Sequence, residues 1–459
     1  MPQRTAPAKN DPLPGEVRPP PRRLSDRLRY LGPGMVIAAG LVGSGELIAT
    51  TKAGAQAGIG LLWVILLGCV VKVFAQIEFG RYTISSGETT LTALNRLPGP
   101  RLGVNWIIWL WLVMMAATYG MLAGILAGVG QAMSMLPAPG GPAAGSVRGW
   151  AIGVACATAL LLFLGRYRLL ERLSIALVFC FTVITVGNAI ALQTTDYAIP
   201  GEDLLQGLVF SWPDGSAGWL TALAAFGIIG IGGTDLVVYP YFCMERGYHA
   251  FIGPRSDDPA WAARARGWLR VMRTDAFASM LIYTATTAAF FFIGAAVLHR
   301  DGLDPDGMDM VATIAAAYVP VLGEYARVLF LAGALAVLYS SFLVANAGAA
   351  RLLADCLRLF GLLQRADAMA GAIRALSAGL PLLVLLIFLT GWNPVRLVVI
   401  GGLTQSLVLP VLGASALYFR YRKIDPRLRP GRAWDVALVL SSISLLLAGL
   451  FSLVQILSR

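Results

Sequence analysis

Charge is scarce in this chain and histidine nearly absent: 13% of its 459 residues are Asp, Glu, Lys or Arg, and the histidines are His249 and His299 alone. With 57% hydrophobic residues and a mean hydropathy of +0.71, there is too little polar surface to cover a water-soluble globule of this length. Lipid must be its main solvent. There is no GxxxxGK[ST] phosphate loop, no HExxH and no GxSxG. An ATP-driven pump or a membrane hydrolase therefore has no residues to work with, and no enzymatic activity is expected. Cys69, Cys156, Cys180, Cys243 and Cys356 show neither CxxC pairing nor metal spacing, so they read as free thiols in packed helices. The formal net charge of +11 does not indicate nucleic acid, because the basic residues sit in short segments between apolar runs instead of on one face. Residues 1–28 are rich in Pro and Arg and lack a continuous apolar stretch, which predicts a disordered cytoplasmic tail and not a signal peptide.

What the chain does have is long apolar runs. At about 20 residues per span, helices are expected at roughly 33–53, 59–82, 104–134, 149–165, 171–193, 219–243, 273–298, 325–350, 376–391, 395–419 and 434–457, eleven in all. The domain expected after the tail is thus 29–459, with a first repeat over about 33–193, a second over about 219–419 and an extra helix at about 434–457. Lys and Arg accumulate in cytoplasmic loops. Arg22, Arg23, Arg27 and Arg29, then Arg96 and Arg101, then Arg166, Arg168 and Arg172 fall on one side, with Arg246–Arg273, Arg351–Arg374 and Arg420–Arg432. Asp196, Glu202, Asp203, Asp214, Asp301, Asp304, Asp306 and Asp309 fall on the other. This alternation predicts an inner-membrane protein with its N-terminus inside and its C-terminus outside.

Glycines interrupt three helices: Gly43-Ser44-Gly45-Glu46 in the first, Gly230-Ile231-Gly232-Gly233-Thr234-Asp235 in the sixth and Gly401-Gly402 in the tenth. Paired breaks five helices apart are what an inverted repeat places at a substrate site. Gly401-Gly402 reads equally well as close helix packing. Ionisable side chains at membrane depth are costly and mark pathways or partners; here they are Glu46, Asp235, Lys72 and, nearer the inner end of helix two, Glu78. Lys72, one turn from Gln76, is too central to reach the interface and should point into the bundle. It could meet an anionic group of the substrate, replace a coupling cation, or pair with Glu46 or Asp235. Glu46 and Asp235 could cap the bare amides of the half-helices. Ser340 and Ser341 could ligate a coupling ion, although serines in membrane helices often bond their own backbone.

Gly32-Pro33-Gly34, then Gly43-Ser44-Gly45-Glu46, then Ala53-Gly54-Ala55 resemble the Nramp family of divalent-metal transporters, which shows Gly-Pro-Gly, Asp-Pro-Gly-Asn and Ala-Gly-Ala at the same spacing. The likeness continues at Leu61-Leu62-Trp63-Val64, Gly227-Ile228-Ile229-Gly230, Ser340-Ser341 and Leu409-Pro410. It implies an all-α membrane protein of LeuT-type fold, about eleven transmembrane helices in two inverted five-helix repeats plus one, with helices one and six broken. It also shows where the chain departs from the family. The metal-binding Asp and Asn of helix one become Gly43 and Glu46, the helix-six methionine becomes Thr234, and the histidine two residues on becomes Leu236. The helix-ten glutamine falls at Gly402, and the acidic residues of helix three are replaced by Tyr119 and Leu122.

With the thioether, Asp and Asn gone, and glycines at the breaks with Lys72 nearby, the site is expected to receive something larger than a bare ion. Half-helix N-termini bind carboxylates well. The expected function is secondary active transport of a small organic anion such as citrate, carried with a bound cation. Gly43, Ser44, Gly45, Glu46, Lys72, Gly232, Gly233, Thr234, Asp235, Gly402 and Gln405 would form the substrate site, with Ser340 and Ser341 for a coupling ion. The alternative is transport of magnesium or manganese with Glu46 and Asp235 as hard oxygen ligands. A transport-inactive sensor is a third reading. No cofactor is implied beyond a coupling proton or sodium, and no partner beyond the substrate and the bilayer.

Overall fold

The computed structural model describes residues 17–136, 146–165, 168–209, 216–323 and 326–458, with the backbone alone at 39, 41–45, 168–175, 177, 216, 217, 326 and 366. The main helices are α1 (Pro33–Leu41, continued by Val42–Thr50 and Thr51–Ala57), α2 (Leu62–Ser86), α3 (Trp106–Met135), α4 (Val147–Phe163) and α5 (Arg168–Ala191). Then come α6a (Ser216–Ile228) and α6b (Gly233–Glu245), α7 (Pro259–Ile293), α8 (Ala326–Leu359), α9 (Ala366–Leu389), α10 (Pro394–Tyr418) and α11 (Arg432–Leu457). Eight helical runs, α1's second half and α2 running together as Glu46–Ser86, are long and apolar enough to cross a membrane; α4 and the described part of α5 are shorter apolar helices. The chain is a multi-pass membrane protein.

Local sequence explains the sharp starts. Asp258 accepts from Ala260 N at 2.8 Å with Pro259 opening α7, and Asn393 accepts from Val395 N at 2.9 Å with Pro394 opening α10. Proline at the first helical position forfeits only an amide that has no helical partner anyway. Two pairs of residues, Arg101–Leu102 and Val104–Asn105, form the one small hairpin among the described residues.

α7 begins at Pro259, well before the apolar run that predicted it, because Trp261, Ala265 and Trp268 are buried on one side of an Arg-rich helical extension. The N-terminal segment covers that side. Arg18 N donates to the Phe251 carbonyl at 3.0 Å, Trp268 Nε1 donates to the Arg18 carbonyl at 3.0 Å, and Leu24–Leu28 is a short helix. The tail expected to be disordered through residue 28 is therefore packed from residue 17 onward. Its first 16 residues lie outside the described ones.

Within the bundle α10 lies along α3, α6a and α11, while α7 packs on α1, α2 and α5 and α8 on α1, α3 and α5. At the end remote from the N-terminal segment, α1 and α7 approach backbone to backbone. A Cβ on Gly54 would sit 2.4 Å from the Phe291 carbonyl, and one on Gly294 2.2 Å from that of Thr51. Lys52, 8% exposed, bridges from α1 to the following loop, donating to Asp304 Oδ1 at 2.7 Å and to the Pro305 carbonyl at 2.9 Å. Among the described residues, α1 is thus held against α7 and the loop that follows it at this end.

Candidate functional site at the α6 break

α6 loses its helical ladder between Ile228 and Gly233, and Gly230 takes φ +66° there. A Cβ on Gly230 would stand 2.9 Å from Cys69 Cα, so the close approach of α2 to the break requires glycine in both conformation and space. The interruption exposes backbone groups that must find partners in a medium without water. Lys72 supplies them on the α6a side: its Nζ donates to the Phe226 and Ile229 carbonyls at 2.6 and 2.5 Å and lies 5.2 Å from the Phe226 ring. A cation at a helix C-terminus is in the favourable field of the helix dipole. The structure pairs Lys72 with these two main-chain carbonyls and not with Glu46 or Asp235, the carboxylates expected as its ion-pair partners.

Glu46, fully buried, accepts at Oε1 from Gly230 N at 3.3 Å and from Thr287 Oγ1 at 3.2 Å, while Oε2 has no partner. The expected capping of a bare amide is thus met, but the carboxyl is not among the groups lining the cavity described next. The glycine interruption of α1 also differs in kind from that of α6: Val42–Thr50 stays helical but is widened into a π-helix. π-Bulges are common at functional sites. The side chains of Gly43, Ser44 and Gly45 lie outside the described residues.

On the other side of the break, Gln405 of α10 accepts at Oε1 from Thr234 N at 3.2 Å, and Thr234 Oγ1 lies 3.2 Å from Thr118 Oγ1 of α3. Asp235 turns back to the Gly232 amide, as the third residue of a capped helix does, so its Oδ2 and Gln405 Oε1 converge on Gly232. These groups face a cavity of about 60 Å³ that also takes in Met115, Met121, Leu122 and Ser341. Asp235 is the only ionisable residue lining it among the described residues. Toward the N-terminal side a second cavity shares Phe242 and Val344 with the first and is spanned by the Arg351–Glu245 ion pair. At roughly 10–15 Å³ of such volume per water, the first cavity has room for about four to six waters.

Of the predicted site residues, the structure gathers Gly232, Gly233, Thr234, Asp235 and Gln405, with Ser341 on the facing wall and Ser340 buried behind it. It separates Glu46 and Lys72, which lie behind the break against α2 and α7. Gly402 is not a break at all: α10 is continuous, and a Cβ there would fall 2.4 Å from the Ala224 carbonyl of α6a. Gln405, named together with Gly402 for the site, is the α10 residue of the two that lines the cavity. Thr118, Met115 and Met121 were not singled out, because one hydroxyl and two thioethers carry no periodic signal in an apolar helix. Among the described residues no group of three or more His, Cys, Asp or Glu is placed to hold a metal.

A bundle with irregular first and sixth helices, α1 packed backbone to backbone on α7 and a polar cavity at the sixth is a LeuT-type fold, with α1–α5 and α6–α10 as its two inverted halves and α11 outside them. The manganese transporter of Eremococcus coleocola, solved with an aromatic bis-isothiourea compound, is similar at a TM-score of 0.68 and 16% identity, over 96% of this chain and 89% of that one. MhsT in complex with L-phenylalanine is similar at 0.55 and 18%, over 96% and 100%. The family described as natural resistance-associated macrophage protein-like, Nramp, matches residues 34–455, and the chain belongs to it. The divalent metal cation transporter MntH of Chromohalobacter salexigens is 28% identical over 312 residues, 66% of this chain and 64% of that protein. An uncharacterised protein of Pasteurella multocida is 32% identical over 163 residues, 35% of each. These alignments span from 35% to 64% of the curated relatives' own length.

Proposed function

We propose that this protein is a secondary transporter of the inner membrane, N-terminus inside, that carries a hard divalent cation, magnesium or manganese. The observation that carries this reading is the sign and chemistry of the cavity. One carboxylate, an amide oxygen and three hydroxyl-bearing side chains line it beside the thioethers of Met115 and Met121, so oxygen donors outnumber sulfur five to two, and the nearby fixed cation, Lys72, is held by the α6a carbonyls. Oxygen donors of this kind suit Mg²⁺ or Mn²⁺ better than soft ions. Asp235 and Gln405 would be the principal ligands, with Thr234 beside them. Membership in Nramp and the divalent-metal-cation transport for which the MntH relatives are named support a cation over the organic anion that Lys72 had suggested.

One observation keeps the second reading in view. A single carboxylate compensates only half the charge of a dication, so a cation arriving with its own carboxylate ligand would be better matched in charge. Both are tested in one experiment on purified protein in liposomes: uptake of Mg²⁺ or Mn²⁺ alone, of citrate alone, and of the two together. Saturable uptake of the bare ion, reduced on the order of tenfold or more by Asp235→Asn, equivalent to at least about 1.4 kcal/mol, supports the proposal. Saturable uptake that occurs only when citrate accompanies the ion overturns it in favour of the second reading.

A further inference from the structure

We propose that the groove between the start of α3 and the C-terminal half of α10 binds one acyl chain of an anionic phospholipid, whose headgroup sits among Arg101, Arg422 and Lys423. The groove encloses about 350 Å³, against about 60 Å³ for the cavity at Asp235. Leu97 and Trp106 stand on one side of it, and Pro410, Ala414 and Tyr418 of α10 on the other. Ser415, also in the α10 wall, donates to the Val411 carbonyl at 2.7 Å, so its hydroxyl is committed to its own helix. The occupant of the interior must therefore be apolar. From Pro410 to Tyr418 the groove follows about 12 Å of helix, most of the roughly 15 Å of hydrocarbon in one leaflet.

The depth of the groove's mouth is set by aromatic residues. Trp106 and Trp109 are both exposed there, and tryptophan favours the boundary between membrane and water. Trp109 Nε1 donates to the Leu102 carbonyl at 3.1 Å, which holds the small hairpin and its Arg101 against α3. Beyond Tyr418 the chain continues as a π-helical turn, Phe419–Lys423, whose wider spacing keeps Arg422 and Lys423 near the face that Tyr418 presents to the groove.

The basic residues around this mouth divide by use. Arg420 donates to Asp435, Arg427 to Asp425, Arg429 to the Ile424 and Tyr421 carbonyls, and Arg96 pairs with Glu88. Glu88, Asp425 and Asp435 are thus already neutralised. Arg422 and Lys423 are exposed and make no ion pair among the described residues, and Arg101 makes one hydrogen bond, to the Asn95 carbonyl at 3.0 Å. Three positive charges are left at the mouth of an apolar groove, which is the complement of a lipid with an anionic headgroup. Arg427 also donates to the Ser256 and Asp257 carbonyls ahead of α7, so the mouth lies on the side of the N-terminal segment, the inner leaflet in the orientation proposed above. A chain seated here braces α10, the helix that carries Gln405, against α3. No transported ion is involved, so the lipid site stands or falls independently of the uptake experiments.

The test is titration of the purified full chain in detergent with phosphatidylglycerol and with phosphatidylcholine of identical acyl chains, bound lipid being counted by native mass spectrometry. One phosphatidylglycerol per chain should be retained, more tightly than phosphatidylcholine. Exchanging Arg422 and Lys423 together for glutamine should weaken phosphatidylglycerol about thirtyfold, about fivefold per charge, and leave phosphatidylcholine unchanged. Ala414→Trp, which fills the groove from an exposed position and keeps every charge, should remove the retained lipid. Equal affinity for the two lipids, or retention undiminished in Ala414→Trp, would overturn the proposal. So would a dimer of the unaltered chain that Ala414→Trp dissociates, since a second copy would then be the occupant.

Discussion

Replacing Lys72 with methionine tests the arrangement behind the break most directly. The two side chains are close in volume, so the change removes charge and hydrogen bonds with little cavity or strain. It deletes two charge-assisted bonds to carbonyls at 2.6 and 2.5 Å. At about 1.5–3 kcal/mol each, they total about 3–6 kcal/mol. Removing an ammonium from mid-membrane returns about 2.5–3.5 kcal/mol. The net expectation runs from about no change to a loss of about 3.5 kcal/mol, centred near 1.5. Chemical unfolding of detergent-purified protein measures it, and hydrogen exchange reports its location, because the amides next to the freed carbonyls at 226–230 should exchange faster. If Lys72 instead paired with an ionised Glu46, Lys72→Met and Glu46→Gln would couple strongly in a double-mutant cycle. A coupling well above 1 kcal/mol at neutral pH, or a Lys72→Met protein with unchanged stability and unchanged exchange at 226–230, would refute the reasoning.

Gly227→Ala should be severely destabilising, by about 1–3 kcal/mol or more, since its Cβ would fall 2.0 Å from the Gly402 carbonyl of a rigid α10; a thermal melt in detergent shows it. Lys52→Met should cost about 1 kcal/mol or less, because Asp304 is half exposed. It should nonetheless raise the reactivity of a cysteine placed at Gln56 toward a charged thiol reagent added from the far side. In the loop before α11, hydrogen bonds from Arg427 to Asp425 hold that carboxyl down from 3.8 to about 2. A depressed carboxyl stabilises the fold above its unfolded value and loses that contribution as pH falls from about 4 toward 2. Asp425→Asn should therefore lower the melting temperature at neutral pH and flatten its decline over that acid range.

The eleven apolar runs were legible because membrane burial imposes length and composition directly, and they stand where expected except at polar ends. The Arg-rich start of α7 was invisible to a hydropathy criterion, because its stability comes from Trp261 and Trp268 packing against the N-terminal segment. The α6 break was legible too: Gly230 and Gly232 are needed for its backbone and clearance. What could not be read was the direction in which a side chain points. Lys72 was rightly placed in the bundle interior, but sequence offers only side chains as candidate partners, whereas its actual partners are main-chain carbonyls released by the break. Gly402 and Gln405 were both considered for the site. Choosing between them needed the contact of α10 with Ala224 and Thr234, which no local pattern encodes.

The widened turn at Val42–Thr50 has a bearing on how ligands are carried from one relative to another. A π-helical turn uses more residues per revolution than an α-helical one, so every side chain after it is rotated relative to an unwidened helix of the same length. Two chains can then agree letter for letter in spacing across this stretch and still aim the same column in different directions. Glu46 occupies a metal-ligand column of the family motif and yet faces α2 and α7. Residue roles in this branch are better transferred by the azimuth of a side chain around α1 than by its place in an alignment.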